Sequence, residues 1–167
     1  DAGGAIGTAL AAYHIYFKKP RIKSNLPDLM HGAYLGPQYS ENDILKTINK
    51  YNAIAQKYND FDHLCDITAD LIAEGKVIGW FQDRMEFGPR ALGNRSIIGD
   101  ARNKDMQKKL NLKIKFREGF RPFAPSVLFE DTENFFDINT PSPYMLIVAP
   151  VKENHRCKLP DNYYQLP

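Results

Sequence analysis

Cysteine is scarce: Cys65 and Cys157 are the two in 167 residues, and they lie far apart. Such a pair argues against a disulfide framework and against a cysteine-based zinc module, and it suits a chain kept reduced in the cytoplasm. His14, His31, His63 and His155 show no spacing that a metal shell would need, so each reads as structural or surface. No apolar run is long enough to span a bilayer. The opening DAGGAIGTALAAYH has no basic start and no initiator Met, so it does not read as a secretory signal, and the chain is expected to be a piece of a longer protein. Repeats and low-complexity tracts are missing, and no Ser–His or Cys–His pair reads as a nucleophile with its base.

Hydrophobic residues make up 43% of the chain and charged residues 25%, which is enough for a packed core and excludes global disorder. The length suits one domain, or one domain with part of another. The net charge of +2 does not by itself point to nucleic acid. Its distribution is more informative. Between Arg84 and Arg121, eleven Lys/Arg stand against four Asp/Glu, a local balance of +7 that leaves −5 for the remainder. Segregation of this kind points to a local anion site in an otherwise unremarkable surface.

Helical and strand patterns alternate along the chain, so the expected class is α/β, with α+β as the alternative. Ala2 to Phe17 reads as a small-residue helix weakened at its start by Gly3, Gly4 and Gly7, and Lys18 to Pro37 as a connector. Ser40 and Asp43 form a capping box ahead of Ile44, Ile48, Tyr51, Ala55 and Tyr58 at helical spacing. Asp66 is expected to cap a short helix carrying Ile67, Leu71 and Ile72, with Gly75 as its stop. Val77 to Gln82, VIGWFQ, reads as a buried strand with Trp80 in the core. Further strands are expected at 96–99, 126–129 and 144–151, and a helix capped by Asn103 through Leu112.

Two stretches carry the cations. In RMEFGPRALGNRS, Arg84, Arg90 and Arg95 lie among Gly88, Pro89 and Gly93 between two expected strands, followed by Ser96. Guanidinium forks match phosphate or carboxylate oxygens, glycines let backbone N–H groups approach an anion, and the Ser96 hydroxyl adds a donor. The plainer reading is a solvated loop whose arginines pair with surface acids. Glu86, the single acid there, orients an arginine or acts on substrate. In KIKFREGFRPFAPS, an extended Lys113 to Arg117 would put Lys113, Lys115 and Arg117 on one face and Ile114 and Phe116 on the other. Arg121 follows the Gly119 bend, and Pro122 and Pro125 stiffen the approach to Ser126. An edge strand protected by lysines is the alternative. In DAGGA, Asp1 could cap a helix or hold a metal.

GWFQDRMEFGPRALGNRSIIGDAR and LNLKIKFREGFRPFAPSVL closely resemble the signature of the NodU/CmcH carbamoyltransferase family over Gly79 to Leu128, with weaker similarity over most of the chain. The family includes nodulation-factor and antibiotic carbamoyltransferases. The resemblance implies a two-domain enzyme. One domain is TsaD-like, of the actin-like ATPase superfamily, and holds iron. The other has the YrdC-like twisted mixed sheet with packed helices and makes carbamoyl-adenylate from carbamoyl phosphate and ATP. The carbamoyl group then passes to the hydroxyl of a sugar or natural-product acceptor. On this basis residues 1–23 are the tail of the TsaD-like domain, 24–40 a connector, and 41–167 a YrdC-like domain incomplete at its C-terminus.

The resemblance further makes Lys115, Arg117 and Arg121 the catalytic cations. Arg84, Arg90, Arg95, Ser96 and Ser126 become phosphate-binding, and Asp1 one ligand of an iron whose other ligands lie outside the chain. The family's later THVDGTAR-like and NTSFN-like segments are absent, so this length of chain is expected to be inactive alone. The expected partners are carbamoyl phosphate, ATP, a hydroxyl acceptor and the TsaD-like domain of the same polypeptide, without membrane or nucleic acid. The alternative is an RNA- or phosphate-binding module without catalysis, in which Phe116, Phe120 and Phe123 would stack bases; their alternation with cations instead places them toward the core.

Overall fold

The computed structural model describes residues 3–26 and 28–159. The chain divides into two units, Asp1–Phe123 and Ala124–Pro167, each treated by itself.

The first unit begins with α1, Gly4–Ala11, which continues as a π-helical turn over Ala12–Tyr16. The next helix, α2, Glu41–Tyr51, starts on the expected capping box: Ser40 Oγ accepts from the Asp43 amide, and the Asp43 carboxylate accepts from the Ser40 amide. It stops short of Tyr58 because Asn52 takes a left-handed conformation (φ 48°), one that asparagine tolerates better than most side chains. The third helix, α3, Phe61–Ala73, is capped by Asp60, not Asp66: the Asp60 carboxylate accepts from the amides of Asp62 (3.0 Å) and His63 (3.3 Å). The physical reason lies in Phe61 and Leu64, which extend the apolar face of Ile67 and Leu71 toward the N-terminus at helical spacing. Gly75 ends it as expected, at φ +80°.

Strands β1, Ile78–Phe81, and β2, Arg95–Ile98, pair antiparallel with Ile78 opposite Ile98 and Phe81 opposite Arg95. They form the sheet of the described residues, so the architecture is α+β. Trp80 is half-buried rather than deep in a core: its ring meets Phe61 edge-on (6.2 Å), and its Nε1 donates to Gln82 Oε1 (2.6 Å). Between α3 and β1 lies a cavity of about 410 Å³ lined by Leu64, Ile67, Leu71, Ile78 and Trp80 among others.

Helix α4, Met106–Lys109, runs straight into a π-helical turn, Leu110–Ile114. Asn103 stands before it, its side chain accepting from the Asp105 amide at 2.9 Å. Lys113 to Arg117 is therefore not extended, and Lys113, Lys115 and Arg117 do not line one strand face. Met106 and Leu110 at i,i+4 are buried, and this helical register overrides the K-I-K alternation. The turn ends at Phe116, a non-glycine residue at φ 49°, and its ring is 84% exposed. Phe120 is also exposed and Phe123 half-buried, so the expectation that Phe116 and Phe120 face the core is corrected.

In the second unit the strands expected at 126–129 and 144–151 do not form. Residues 129–131 make a 3-10 turn leading into α5, Thr132–Phe135, and one antiparallel bridge joins Phe136 to Val151. Pro125, Pro141, Pro143 and Pro150 remove donors a ladder would need. The His155 ring stacks on Phe135 (4.9 Å). Among the described residues no helix is long and apolar enough to cross a membrane.

If Asp60 is the cap of α3, Asp60→Ala should lower unfolding free energy by about 1 kcal/mol, whereas Asp66→Ala should stay within about 0.5 kcal/mol of wild type. Chemical denaturation of both variants checks this; equal effects would contradict the assignment.

Candidate anion-binding site

The segment between β1 and β2 is a long hairpin loop, and its organising residue is Glu86, 3% exposed. One carboxylate oxygen, Oε1, accepts from the backbone amides of Leu92 (2.6 Å), Asn94 (2.9 Å) and Arg95 (3.3 Å). The other, Oε2, has no hydrogen-bond partner among the described residues and lies 4.0 Å from Arg95 Nε. Burial alone would raise the Glu86 pKa, but the amide donors outweigh it and hold the carboxyl below the usual glutamate value.

The loop is tied at other points too. Arg95 Nη2 donates to the Gly88 carbonyl (3.1 Å), Asn94 Nδ2 to the Arg84 carbonyl (2.8 Å), and the Gly93 amide to Ser96 Oγ (3.1 Å). Gly88 and Gly93 take φ of +122° and +116°, which other residues adopt only with strain.

A strap from the connector holds this loop from outside. The Gly36 amide donates to the Met85 carbonyl (2.9 Å), the Met85 amide to the Pro37 carbonyl (2.9 Å), and the Phe87 amide to the Ala33 carbonyl (2.6 Å). Tyr34 Oη donates to the Leu92 carbonyl (2.7 Å). Position 36 admits only glycine without displacement, since a Cβ there would stand 2.9 Å from the Met85 carbonyl oxygen.

The second cationic stretch is built around Asn111, which is fully buried. Its Nδ2 donates to the carbonyls of Gly119 (3.2 Å) and Arg121 (2.8 Å), and its Oδ1 accepts from Arg117 Nε (2.7 Å). The Arg117 guanidinium lies over the Phe123 ring at 4.8 Å. Arg121 Nε pairs with Glu118 (2.8 Å), and Arg102 pairs through two nitrogens with Asp100.

Of the expected site residues, Arg95 lies beside Glu86 with Ser96 bonded to Gly93 in the same loop, and Arg117 and Arg121 gather around Asn111. Arg84, Arg90 and Lys115 are exposed, and their side chains have no partner among the described residues. The described contacts of each set stay within its own loop. Ser126 belongs to the second unit and is exposed there. Asp1 lies outside the described residues, among which no three His, Cys, Asp or Glu side chains gather, so they offer no shell for iron. Asn111 and Tyr34 were not anticipated. Asn111 carried one signal: a polar residue set between Leu110 and Leu112 in a helical register.

A hairpin loop rich in arginine, closed on a buried carboxylate and accompanied by a second arginine turn, makes a candidate anion site in an α+β domain. A family model described as "Carbamoyltransferase C-terminus" matches residues 69–164, and the chain belongs to that family. The chain is 52% identical to the uncharacterized protein sll1178 of Synechocystis sp., over 99% of this chain and 27% of that protein. It is 39% identical to nodulation protein NolO of Bradyrhizobium diazoefficiens, over 92% of this chain and 28% of that protein. Identity with 3'-hydroxymethylcephem-O-carbamoyltransferase of Streptomyces clavuligerus is 33%, over 92% of this chain and 26% of the enzyme. The chain thus spans about a quarter of the length of these relatives.

A carboxyl whose folded pKa is depressed stabilises the fold above the unfolded value, and that stability is lost as pH falls through the folded value. Glu86 should therefore contribute to acid unfolding below the ordinary glutamate range, and Glu86→Gln should flatten that part of the pH–stability curve. Glu86→Ala, which strands three amides, should cost about 3 kcal/mol near neutral pH. Parallel curves for wild type and Glu86→Gln in acid titrations of stability would contradict the role.

Proposed function

We propose that this chain supplies the phosphate-handling part of an ATP-dependent O-carbamoyltransferase with a YrdC-like domain, acting in the cytoplasm. The observation that carries the reading is the pair of arginine turns, each closed around a buried polar side chain. Carbamoyl phosphate and ATP bring many anionic oxygens to one place, and preorganised cations stabilise the charge that builds at phosphorus. In this scheme water releases phosphate from carbamoyl phosphate, leaving carbamate. A carbamate oxygen bonds to the α-phosphorus of ATP as the bond to pyrophosphate breaks, giving carbamoyl-adenylate. The acceptor hydroxyl then loses its proton and attacks the carbamoyl carbon, and AMP leaves. Arg117 and Arg121, with Lys115 beside them, would contact the phosphates during adenylation, and Arg90 and Arg95 would neutralise the approaching anions. The name of one relative supports the acceptor class, since a hydroxymethylcephem is the acceptor in it.

In a polypeptide of the relatives' length that carries this chain, Arg117→Ala or Arg121→Ala should slow carbamoyl-adenylate formation about ten- to a hundredfold, the equivalent of one lost charge-assisted bond of roughly 1.5–3 kcal/mol. Lys115→Arg should also be poorly tolerated, since a planar fork does not replace a compact ammonium. Release of pyrophosphate from ATP in the presence of carbamoyl phosphate measures this, followed by turnover with a panel of hydroxyl acceptors. Normal rates in the alanine variants would remove these residues from the site.

One observation favours a second reading. Phe116 and Phe120 are 84% and 79% exposed beside cations, an arrangement that can stack single-stranded bases. If so, single-stranded RNA should bind the chain with steep salt dependence, and Phe116→Ala with Phe120→Ala should weaken it. Gel shifts unaffected by either change, or no shift at low salt, dispose of that reading.

A further inference from the structure

Arg102 and Arg121 are matched by carboxylates, those of Asp100 and Glu118. Arg117 is held differently. Its Nε donates to the Asn111 amide oxygen at 2.7 Å, and its guanidinium lies over the Phe123 ring at 4.8 Å. Both of these contacts are neutral, and Arg117 makes no ion pair among the described residues, although Glu118 is near enough to feel its charge. Tethering Nε and covering one face leaves the two terminal nitrogens as the free edge of the fork, which is the edge that matches two oxygens of one anion.

Asn111 is the residue that makes this possible. It is fully buried, and it holds position 117 twice: its backbone carbonyl accepts from the Arg117 amide (3.0 Å), and its side chain accepts from Arg117 Nε. The same amide group donates to the carbonyls of Gly119 and Arg121, so one side chain fixes the turn and the fork together. A carboxylate could accept from the guanidinium but could not donate to the carbonyls, and an apolar side chain could do neither. We infer that Asn111 is a positioning residue that holds the Arg117 guanidinium, charge intact, as the receptor for a phosphate-type anion. The inference rests on the anion-binding reading proposed above.

Gln107 allows positioning to be separated from simple support. Its Nε2 donates to the carbonyls of Phe120 (3.4 Å) and Arg121 (3.1 Å), bracing the same turn without a described contact to Arg117. The test uses inorganic pyrophosphate and the 167-residue chain, with affinity from titration calorimetry and the Arg117 Nε–H resonance from nitrogen-15 NMR. In wild type that resonance should be sharp and should move when pyrophosphate is added. Asn111→Ala should broaden it into solvent exchange and weaken pyrophosphate at least tenfold, while Gln107→Ala should stay within twofold of wild type. Asn111→Ala within twofold, or Gln107→Ala as weak as Asn111→Ala, overturns the assignment. Should Asn111→Ala fail to fold, the wild-type titration decides, and an Arg117 Nε–H resonance unmoved at saturation overturns it. Pyrophosphate that binds and moves Arg95 alone leaves the anion reading standing and removes Arg117 from it. A wild-type chain that binds no pyrophosphate sinks the anion reading and this inference with it.

Discussion

A polar side chain removed from water must find its partners within the protein, and this requirement shapes the cationic region more than apolar burial does. Among the described residues the buried apolar side chains are small in number: Ala33, Met106 and Leu110. Glu86 and Asn111 are as deeply buried. Apolar contacts are non-directional, whereas a carboxylate facing three amides, or an amide facing two carbonyls and a guanidinium, admits few backbone paths. Each buried polar group therefore dictates the course of the loop around it, and the arginines inherit their positions from that course.

The two turns solve the same problem with opposite chemistry. Glu86 brings a negative charge inside and lets the loop's own amides satisfy one of its oxygens, while the other lies 4.0 Å from Arg95 Nε. Asn111 brings no charge, and Arg117 makes no ion pair among the described residues, its nearby acid Glu118 being paired with Arg121. The helix leading to Asn111 is widened into a π turn over Leu110–Ile114, a form often found at functional sites, and Phe116 then reverses the chain at a positive φ that costs a non-glycine residue roughly 1–2 kcal/mol. That cost is tolerated where the reversal brings the Arg117 amide back to the Asn111 carbonyl.

The sequence made the candidate region legible, and much less of its internal wiring. Charge segregation and the glycine-bearing arginine loop singled out the candidate site, and the Ser40–Asp43 box and Gly75 marked real helix ends. Strand alternation in K-I-K-F-R misled, because three cations and two apolar residues fit either period over so short a run; Met106 and Leu110, one turn apart, carried the deciding register. The apolar runs at 126–129 and 144–151 read as strands because pattern alone does not reveal whether a partner edge exists, and the surrounding prolines argue against one. Asn111 escaped because a single polar residue in a helix looks solvent-facing until its neighbours are known to be buried. Tyr34 escaped because the strap acts across 58 residues of sequence, beyond any local window.

That strap has a consequence for motion. The connector and the arginine loop share the Gly36–Met85, Met85–Pro37, Phe87–Ala33 and Tyr34–Leu92 hydrogen bonds, with Glu86 buried directly beneath them. Neither partner can lift away without exposing the unsatisfied groups of the other. The two segments are therefore expected to open as a single cooperative unit, the Gly36 amide exchanging with solvent at the rate of the Met85 and Phe87 amides some fifty residues later.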